Sequence, residues 1–230
     1  GNLIMKKLTT LLFVLVFAGM TAFAQSNDAS VDQIGNDHEA DIEQIGSSNI
    51  AWVDQTDAGS GGDAFADILQ EGANNNVNLN QRAFYGFPDE SHATITQIGN
   101  NNSVEGTSAT SAFYQNQPGG VVEVYMEGND NTLYTLRTEA QKNQNEFFLD
   151  IIGNDNLVGM EQETGSGDVV IEGNLNDVTL SQLGNNAAYN TAMVDIMGGN
   201  NGVDVMQTMD SNIATVNVTG SFNSATITQN

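Results

Sequence analysis

Apolar and polar residues alternate along most of the chain, in short runs separated by Gly- and Asn-rich segments. Four of these runs share one phrase: Val31-Asp-Gln-Ile-Gly, Ile42-Glu-Gln-Ile-Gly, Ile95-Thr-Gln-Ile-Gly and Leu180-Ser-Gln-Leu-Gly. Alternation with a period of two residues is typical of half-buried β-strands, whose side chains point to opposite faces in turn. The pattern therefore predicts many short strands joined by turns.

Aligning these phrases on their Gln residue gives a repeat with two anchor positions, which always lie 11 residues apart. The first anchor column is Gln44, Gln70, Gln97, Met126, Ile151, Ile171, Ile196 and Val218. The second anchor column is Gln55, Gln81, Ser108, Arg137, Gln162, Gln182, Gln207 and Gln229. Aliphatic residues recur two positions before the first anchor and seven positions after it. Each repeat therefore predicts two strands of equivalent pattern.

Gly and Asn recur at fixed positions between the two strands of each repeat. The residue two positions after the first anchor is always Gly: Gly46, Gly72, Gly99, Gly128, Gly153, Gly173, Gly198 and Gly220. The residue five positions after it is always Asn: Asn49, Asn75, Asn102, Asn131, Asn156, Asn176, Asn201 and Asn223. Gly supplies the positive φ that a tight turn needs, and an Asn side chain bonds readily to turn backbone. The sequence thus predicts the same tight arc in every repeat.

Stacked coils account for this pattern better than separate hairpins do, because all copies share one register. Each strand would lie parallel to its counterpart one coil away, about 4.8 Å along the axis. Acidic residues seldom fall on adjacent rungs of the outward columns, as expected if neighbouring like charges repel, although Asp41 and Asp67 are an exception. We predict an all-β solenoid with two strands per coil, about eight coils, and parallel in-register stacking.

The arc that leads from one coil to the next varies widely in length, so insertions are expected to bulge at one edge. Two insertions contain aromatic residues, Phe84-Tyr85-Gly86-Phe87 and Phe113-Tyr114. We interpret these aromatics as loop residues that cap the edge of the core, with a binding surface as the alternative.

The first 24 residues predict a secretory signal peptide. Met5-Lys6-Lys7 forms a charged start, Leu8 to Phe17 an apolar run, and Ala22-Phe23-Ala24 a small-residue cleavage site. The apolar run is too short for a membrane anchor. We expect residues 1–24 to be an upstream extension plus leader, and residues 25–230 to form one secreted repeat domain without membrane insertion.

Charge and composition exclude several classes of function. The chain has 29 Asp and Glu against five Lys and Arg, a formal net charge of −24, no Cys, and 30 Asn. Removal of the leader leaves three basic residues, a net charge of about −26, which disfavours nucleic-acid binding. Without Cys there is no disulfide or thiolate site, and His38 and His92 stand alone. We predict no enzyme activity, no cofactor and no metal site.

One phrase resembles a known family. The run Gln44-Ile-Gly46-Ser-Ser-Asn49-Ile-Ala51-Trp-Val-Asp-Gln55 resembles the curlin repeat, and the resemblance extends with degeneration from about Ser30 to Asn230. It implies the fold of a curli subunit, a β-solenoid that polymerises outside the cell into amyloid fibres of the biofilm matrix. It also implies roles in adhesion and aggregation, inward ladders formed by the Gln and Asn of the columns, and three partners: further copies, a nucleator subunit and an outer-membrane secretion pore.

The ends of the repeat array suggest how such a fibre would grow. Val31 to Gly35 forms a strand without a preceding partner, and Ala225 to Asn230 ends on its anchor without a cap. Bare strand edges template the addition of another chain. Because a contact between unlike ends does not close on itself, we predict head-to-tail filaments. From Met126 onward the first anchor column departs from the family pattern, since it becomes apolar.

Other functions remain open from the sequence. Gly128-Asn-Asp-Asn-Thr-Leu133 and Gly153-Asn-Asp-Asn-Leu157 resemble calcium-binding RTX repeats, although those recur every nine residues. Outward Thr pairs at Thr94-Ile-Thr96 and Thr226-Ile-Thr228 would suit an adhesin or an ice-binding surface, but acidic residues interrupt them on other rungs. A polysaccharide lyase would need a basic residue near clustered acids, and Arg82, Arg137 and Lys142 lie in separate coils.

Overall fold

The computed structural model describes residues 26–57, 63–83, 91–107, 112–116, 121–136, 141–142, 146–163, 165–184, 190–209 and 211–230. These residues form 17 β-strands and no helix. The strands are β1 (Asp28–Ile34), β2 (Glu39–Ser47), β3 (Ile50–Asp57), β4 (Ala64–Ala73), β5 (Asn76–Ala83), β6 (Ser91–Asn100), β7 (Ser103–Glu105), β8 (Phe113–Asn116), β9 (Val121–Glu123), β10 (Met126–Asn129), β11 (Thr132–Thr135), β12 (Gln141–Lys142), β13 (Glu146–Phe147), β14 (Leu157–Gln162), β15 (Asp177–Leu183), β16 (Gly202–Thr208) and β17 (Ser224–Gln229). The predicted leader lies outside the described residues and stays a prediction.

The strands pair in parallel and form two sheets. The larger sheet has 11 strands in the order β1-β3-β5-β7-β11-β14-β15-β16-β17, with β8 and β12 pairing beside this path. The smaller sheet has six strands in the order β13-β9-β6-β4-β2, with β10 against β6. From β1 to β7, successive strands therefore alternate between the two sheets as the chain winds. This arrangement confirms the predicted all-β solenoid.

The register joins like residues, as the repeat predicts. Along the larger sheet Val31 pairs with Val53 and Val53 with Leu79, while on the smaller sheet Ile42 pairs with Ile68. The inward aliphatic side chains form one continuous core between the sheets. In the central coils this core is fully buried, because every inward side chain has a similar neighbour above and below it.

The two anchors are not always 11 residues apart, which corrects the alignment in two coils. Gln81 pairs with Gln115 and Gln141 pairs with Gln162, so Gln115 and Gln141 occupy the places that the alignment assigned to Ser108 and Arg137. The reason is that insertions interrupt the second strand itself: β7 pairs with Val77, and the ladder resumes only where Phe113 pairs with Leu79. An insertion here lengthens the path between the two anchors without changing the register.

The inserted aromatics also differ from the prediction. Phe113 is fully buried and takes an inward core position, rather than capping an edge. Tyr114 lies on the outward side next to Asn80 and is half-buried. Phe84, Tyr85 and Phe87 lie outside the described residues.

The smaller sheet loses regular strand geometry toward the C-terminal end. Beyond Phe147 its face continues through single hydrogen bonds, such as Met197 N–H to Ile171 O at 2.7 Å and Thr219 N–H to Ile196 O at 2.9 Å. Regular strands on this face therefore span fewer turns than the eight coils predicted. The change follows the point where the first anchor column becomes apolar and no longer provides amide hydrogen bonds.

Candidate functional site

Glutamine side chains form a hydrogen-bonded column inside the larger sheet. Each Nε2 donates to Oε1 of the Gln one coil further along, from Gln33 through Gln55 and Gln81 to Gln115, over distances of 2.7–2.9 Å. The same column continues from Gln162 through Gln182 and Gln207 to Gln229, over 2.7–3.3 Å. The donors all point the same way along the axis. The column is therefore polar, with an amide oxygen at its N-terminal end and an amide N–H at its C-terminal end.

The second Nε2 hydrogen of these residues ties the two sheets together. Gln55 Nε2 donates to the carbonyls of Glu39 and Ala64, and Gln81 Nε2 to those of Phe65 and Ser91. These carbonyls belong to β2, β4 and β6 of the smaller sheet. The buried amides thus bond the backbone of one sheet to the side chains of the other.

The smaller sheet has a shorter glutamine column. Gln44 Nε2 donates to Gln70 Oε1, and Gln70 Nε2 donates to Gln97 Oε1, both at 2.8 Å. Gln97 then pairs with Met126, where the amide column ends. Apolar side chains fill the column from there, and the buried ones are Met126, Ile151, Ile171 and Ile196. The two sheets therefore differ in their C-terminal halves.

The predicted asparagines form a third column at the first arc. The backbone N–H of each donates to Oδ1 of the Asn one coil before it, over 2.9–3.1 Å, along the series Asn27, Asn49, Asn75, Asn102, Asn131, Asn156, Asn176, Asn201 and Asn223. Nδ2 of six of them also donates to a glycine carbonyl one coil further on, at 2.8–3.2 Å. Each of these arcs is therefore bonded to both of its neighbours.

The arc glycines stack directly on one another. A Cβ placed on Gly99, whose φ is +123°, would lie 1.8 Å from the carbonyl oxygen of Gly128. The carbonyl that excludes this Cβ is the one that accepts from Asn102 Nδ2 at 2.9 Å. Gly and Asn at these positions therefore act as one unit, since close backbone approach is what brings the amide within bonding distance.

Sequence reasoning missed three contributors to these columns. Asn27 begins the asparagine column, and its sequence signal is its distance of six residues from Gln33, which equals that from Asn49 to Gln55. Gln115 follows Phe113 in the apolar-x-Gln pattern, so a search that allowed insertions within a strand would have found it. An exposed asparagine ladder also runs along the arc, formed by Asn100, Asn129, Asn154 and Asn174.

Ionisable groups lie mainly on the outside. Burial, with a smaller contribution from nearby Glu172, raises the pKa of the Asp150 carboxyl. The hydrogen bond from Tyr125 to Glu127 raises the pKa of that phenol, because it stabilises the protonated form.

Near the N-terminal end, His38 Nε2 lies 3.0 Å from Asp57 Oδ1, and both side chains are almost fully buried. This pair joins the loop after β1 to the end of β3.

The described strands leave one edge open at each end of the larger sheet. β1 pairs only with β3, and β17 pairs only with β16. Every residue of β1 is exposed, and the inward residues of β17 are only half-buried. Within the described parts of the chain there is no group of three or more metal-ligating side chains, and no helix long and apolar enough to cross a membrane.

Comparison with known proteins relates part of the chain to a family of repeats. Residues 24–56 match the family model described as the curlin associated repeat, a stretch that contains β1, β2 and nearly all of β3. No curated protein matches the chain, and no solved structure does.

Proposed function

We propose that this curlin-repeat protein is a secreted structural subunit that joins head to tail into curli-like amyloid fibres of the biofilm matrix and cell surface. In that role it would support adhesion and aggregation and would have no enzymatic activity. The observation that carries the proposal is the pair of complementary edges that the described strands leave open at β1 and β17. The leader, the nucleator and the secretion pore stay predictions.

The polarity of the amide columns favours joining unlike ends. At the N-terminal end Gln33 offers Oε1, and at the C-terminal end Gln229 retains a second Nε2 hydrogen besides its bond to Ile213 O. In the asparagine column, Asn223 offers Oδ1 to the backbone N–H of Asn27 in the next molecule. Two like ends would bring donors against donors or acceptors against acceptors. A head-to-tail joint thus continues both columns without a break, and it generates a filament.

A proline in β17 tests this joint. N–H groups at outward positions of the larger sheet donate toward the C-terminal end, as Gly202 N–H does to Asn223 O. By the alternation of a strand, Thr226 N–H points the same way, away from β16. Thr226→Pro removes that donor and leaves the pairing with β16 in place. We expect electron microscopy and thioflavin fluorescence to show no filament growth, whereas Thr226→Ala grows like the unmodified chain.

The same variant gives a second readout. Thr226→Pro keeps β1 intact, so it can still add to a filament end that presents β17 and then block that end. A small molar fraction of the variant should therefore slow growth of the unmodified chain. Growth of Thr226→Pro filaments at the normal rate would contradict the proposed joint.

A further inference from the structure

On the N-terminal side, the described strands of the two sheets end at different heights. β1 extends the larger sheet beyond β3, whereas β2 is the outermost described strand of the smaller sheet. Asn27, next to this place, already bonds to the following coil, since its Oδ1 accepts from Asn49 N–H and its Nδ2 donates to Gln44 O. One strand position, adjacent to β2 and opposite β1, is thus not filled by the described residues. We call it the β2 slot.

The core-facing side chains of β2 are not fully covered by the described residues. Ala40 and Ile42 are only partly buried, whereas their partners one coil further on, Ala66 and Ile68, are 4% and 0% exposed. Gln44 uses Nε2 to bond Gln70 Oε1 and Asp28 O. Its Oε1 has no donor among the described residues. By the polarity of the column, that oxygen would accept from a residue in the slot.

A second copy of this chain does not supply a suitable strand. When β17 of one molecule pairs with β1 of the next, the slot remains as a gap between β2 and the last turn of the smaller sheet. That last turn carries Val218 at the anchor position, which cannot donate to Gln44 Oε1. The proposed joint therefore completes the larger sheet and leaves the smaller sheet one strand short.

The charge on β2 limits which strands can occupy the slot. Its outward side chains at Glu39, Asp41 and Glu43 are all exposed and acidic. A neighbouring strand one rung away would place its own outward side chains about 5 Å from these carboxylates. Acidic residues there would be repelled, and basic residues would be attracted. The chain without its leader has only three basic residues, so a basic strand would come from a different polypeptide.

We propose that the β2 slot binds an extended strand of a second protein, with the pattern Ala-x-Ile-x-Gln inward and basic or neutral residues outward. The inward pattern is the one found in the first three turns of the smaller sheet, including Ala93, Ile95 and Gln97. Backbone pairing with β2 supplies affinity, and the Gln donor to Gln44 Oε1 supplies specificity. This inference shares the N-terminal side with the proposed fibre joint, but the slot is defined by the described residues of a single molecule.

Synthetic peptides with the sequence of Ser91–Asn100 provide the probes. One has the natural sequence, a second carries His92→Lys, Thr94→Lys and Thr96→Lys, and a third carries Gln97→Val in addition. Binding to the chain from Gln25 to Asn230 is measured by fluorescence anisotropy, with hydrogen exchange to locate the site. We expect 1:1 binding with protection of β2. The lysine peptide should bind at least about tenfold more tightly than the natural one at low salt, with a smaller difference at high salt.

A second set of substitutions tests whether the hydrogen bond to Gln44 provides specificity. Gln97→Val should weaken the lysine peptide about tenfold, because Gln44 Oε1 is then enclosed without a donor. Gln44→Val in the protein should remove that difference. Because Gln44→Val could disturb the end of the fold, the exposed pair Glu39→Gln and Glu43→Gln gives an independent check, and it should reduce the salt-dependent part of the affinity.

The outcomes separate this inference from the proposed function. Thr226→Pro should bind the lysine peptide normally although it forms no filaments, and filaments of the unmodified chain should take up one peptide per subunit. Equal affinity of the Gln and Val peptides, protection at β17 instead of β2, or filaments that grow without taking up peptide would each overturn the slot. The head-to-tail joint would survive any of these results.

Discussion

A single arc asparagine bonds to the coils on both sides of it. Asn131 donates its N–H to Asn102 Oδ1 and its Nδ2 to Gly153 O, and it accepts from Asn156 N–H. Its side-chain amide satisfies two backbone groups, Gly153 O and Asn156 N–H, and leaving such a buried group without a partner costs about 1–3 kcal/mol. Asn therefore recurs at this position because the backbone N–H and C=O groups of adjacent arcs need hydrogen-bond partners within the stack.

Gly99 tests the close approach of adjacent arcs. Gly99→Ala would force a Cβ to 1.8 Å from Gly128 O at a φ that L-residues rarely adopt. We expect a loss of more than about 3 kcal/mol in the free energy of unfolding, measured by urea denaturation. The matched control is Gly202→Ala, where a Cβ meets nothing within 4 Å. It should change stability by less than about 1 kcal/mol, and an equal effect of both changes would contradict the stacked-arc explanation.

Asp150 makes stability depend on pH. Its pKa is raised in the folded state by partial burial and by Glu172, so the ionised form is disfavoured relative to the unfolded chain. This penalty is fully present above the folded pKa and is relieved as pH falls through it, because the native state then takes up the proton first. Asp150→Asn should therefore raise the melting temperature at pH 7 and have little effect near pH 4. Asp204→Asn, on an exposed position of β16, is the control, and a larger gain at low pH would contradict this account.

The elements of the smaller sheet relate the composition of an anchor column to regular strand geometry. Regular strands accompany the column of Gln44, Gln70 and Gln97, and strand geometry fades where apolar anchors replace it. Both kinds of column are self-consistent, because an amide stacks on an amide and an aliphatic side chain on an aliphatic one. A single apolar residue between two amides removes the amide partner of both neighbours.

Replacement of the whole column tests this idea. Gln70→Met alone leaves Gln44 Nε2 without its amide acceptor and Gln97 Oε1 without its amide donor, and it should cost about 3 kcal/mol. The triple change of Gln44, Gln70 and Gln97 to Met should cost less than the sum of the three single changes by at least about 1 kcal/mol. Chemical denaturation of the four variants measures this coupling. Strict additivity would mean that the residues act independently.

At the scale of the whole molecule, charge opposes association. The chain carries a formal net charge of −24, and its sequence pI is about 4.1. Repulsion between subunits should keep them apart at neutral pH and low salt, and screening or protonation should weaken it. We expect the thioflavin lag time to shorten as pH falls from 7 to 4.5, and also when salt is added at pH 7. A lag time independent of both would show that charge does not control assembly.

Repetition makes much of this fold predictable from the sequence alone. Two strands per coil, parallel stacking and the position of the arcs follow from the spacing of Gln, Gly and Asn, because identical rungs bury their side chains only when they lie in one register. The inward aliphatic positions follow from the same alternation. These features depend on local patterns, which recur in each copy of the repeat.

Tertiary structure alone decided the rest. Gln115 and Gln141 take the places aligned to Ser108 and Arg137, because the length of an insertion does not reveal which residue returns to the ladder. The unequal ends of the two sheets, and with them the β2 slot, also depend on how the coils stack. A repeat defines each rung, but only the assembled stack defines which rungs lack a neighbour.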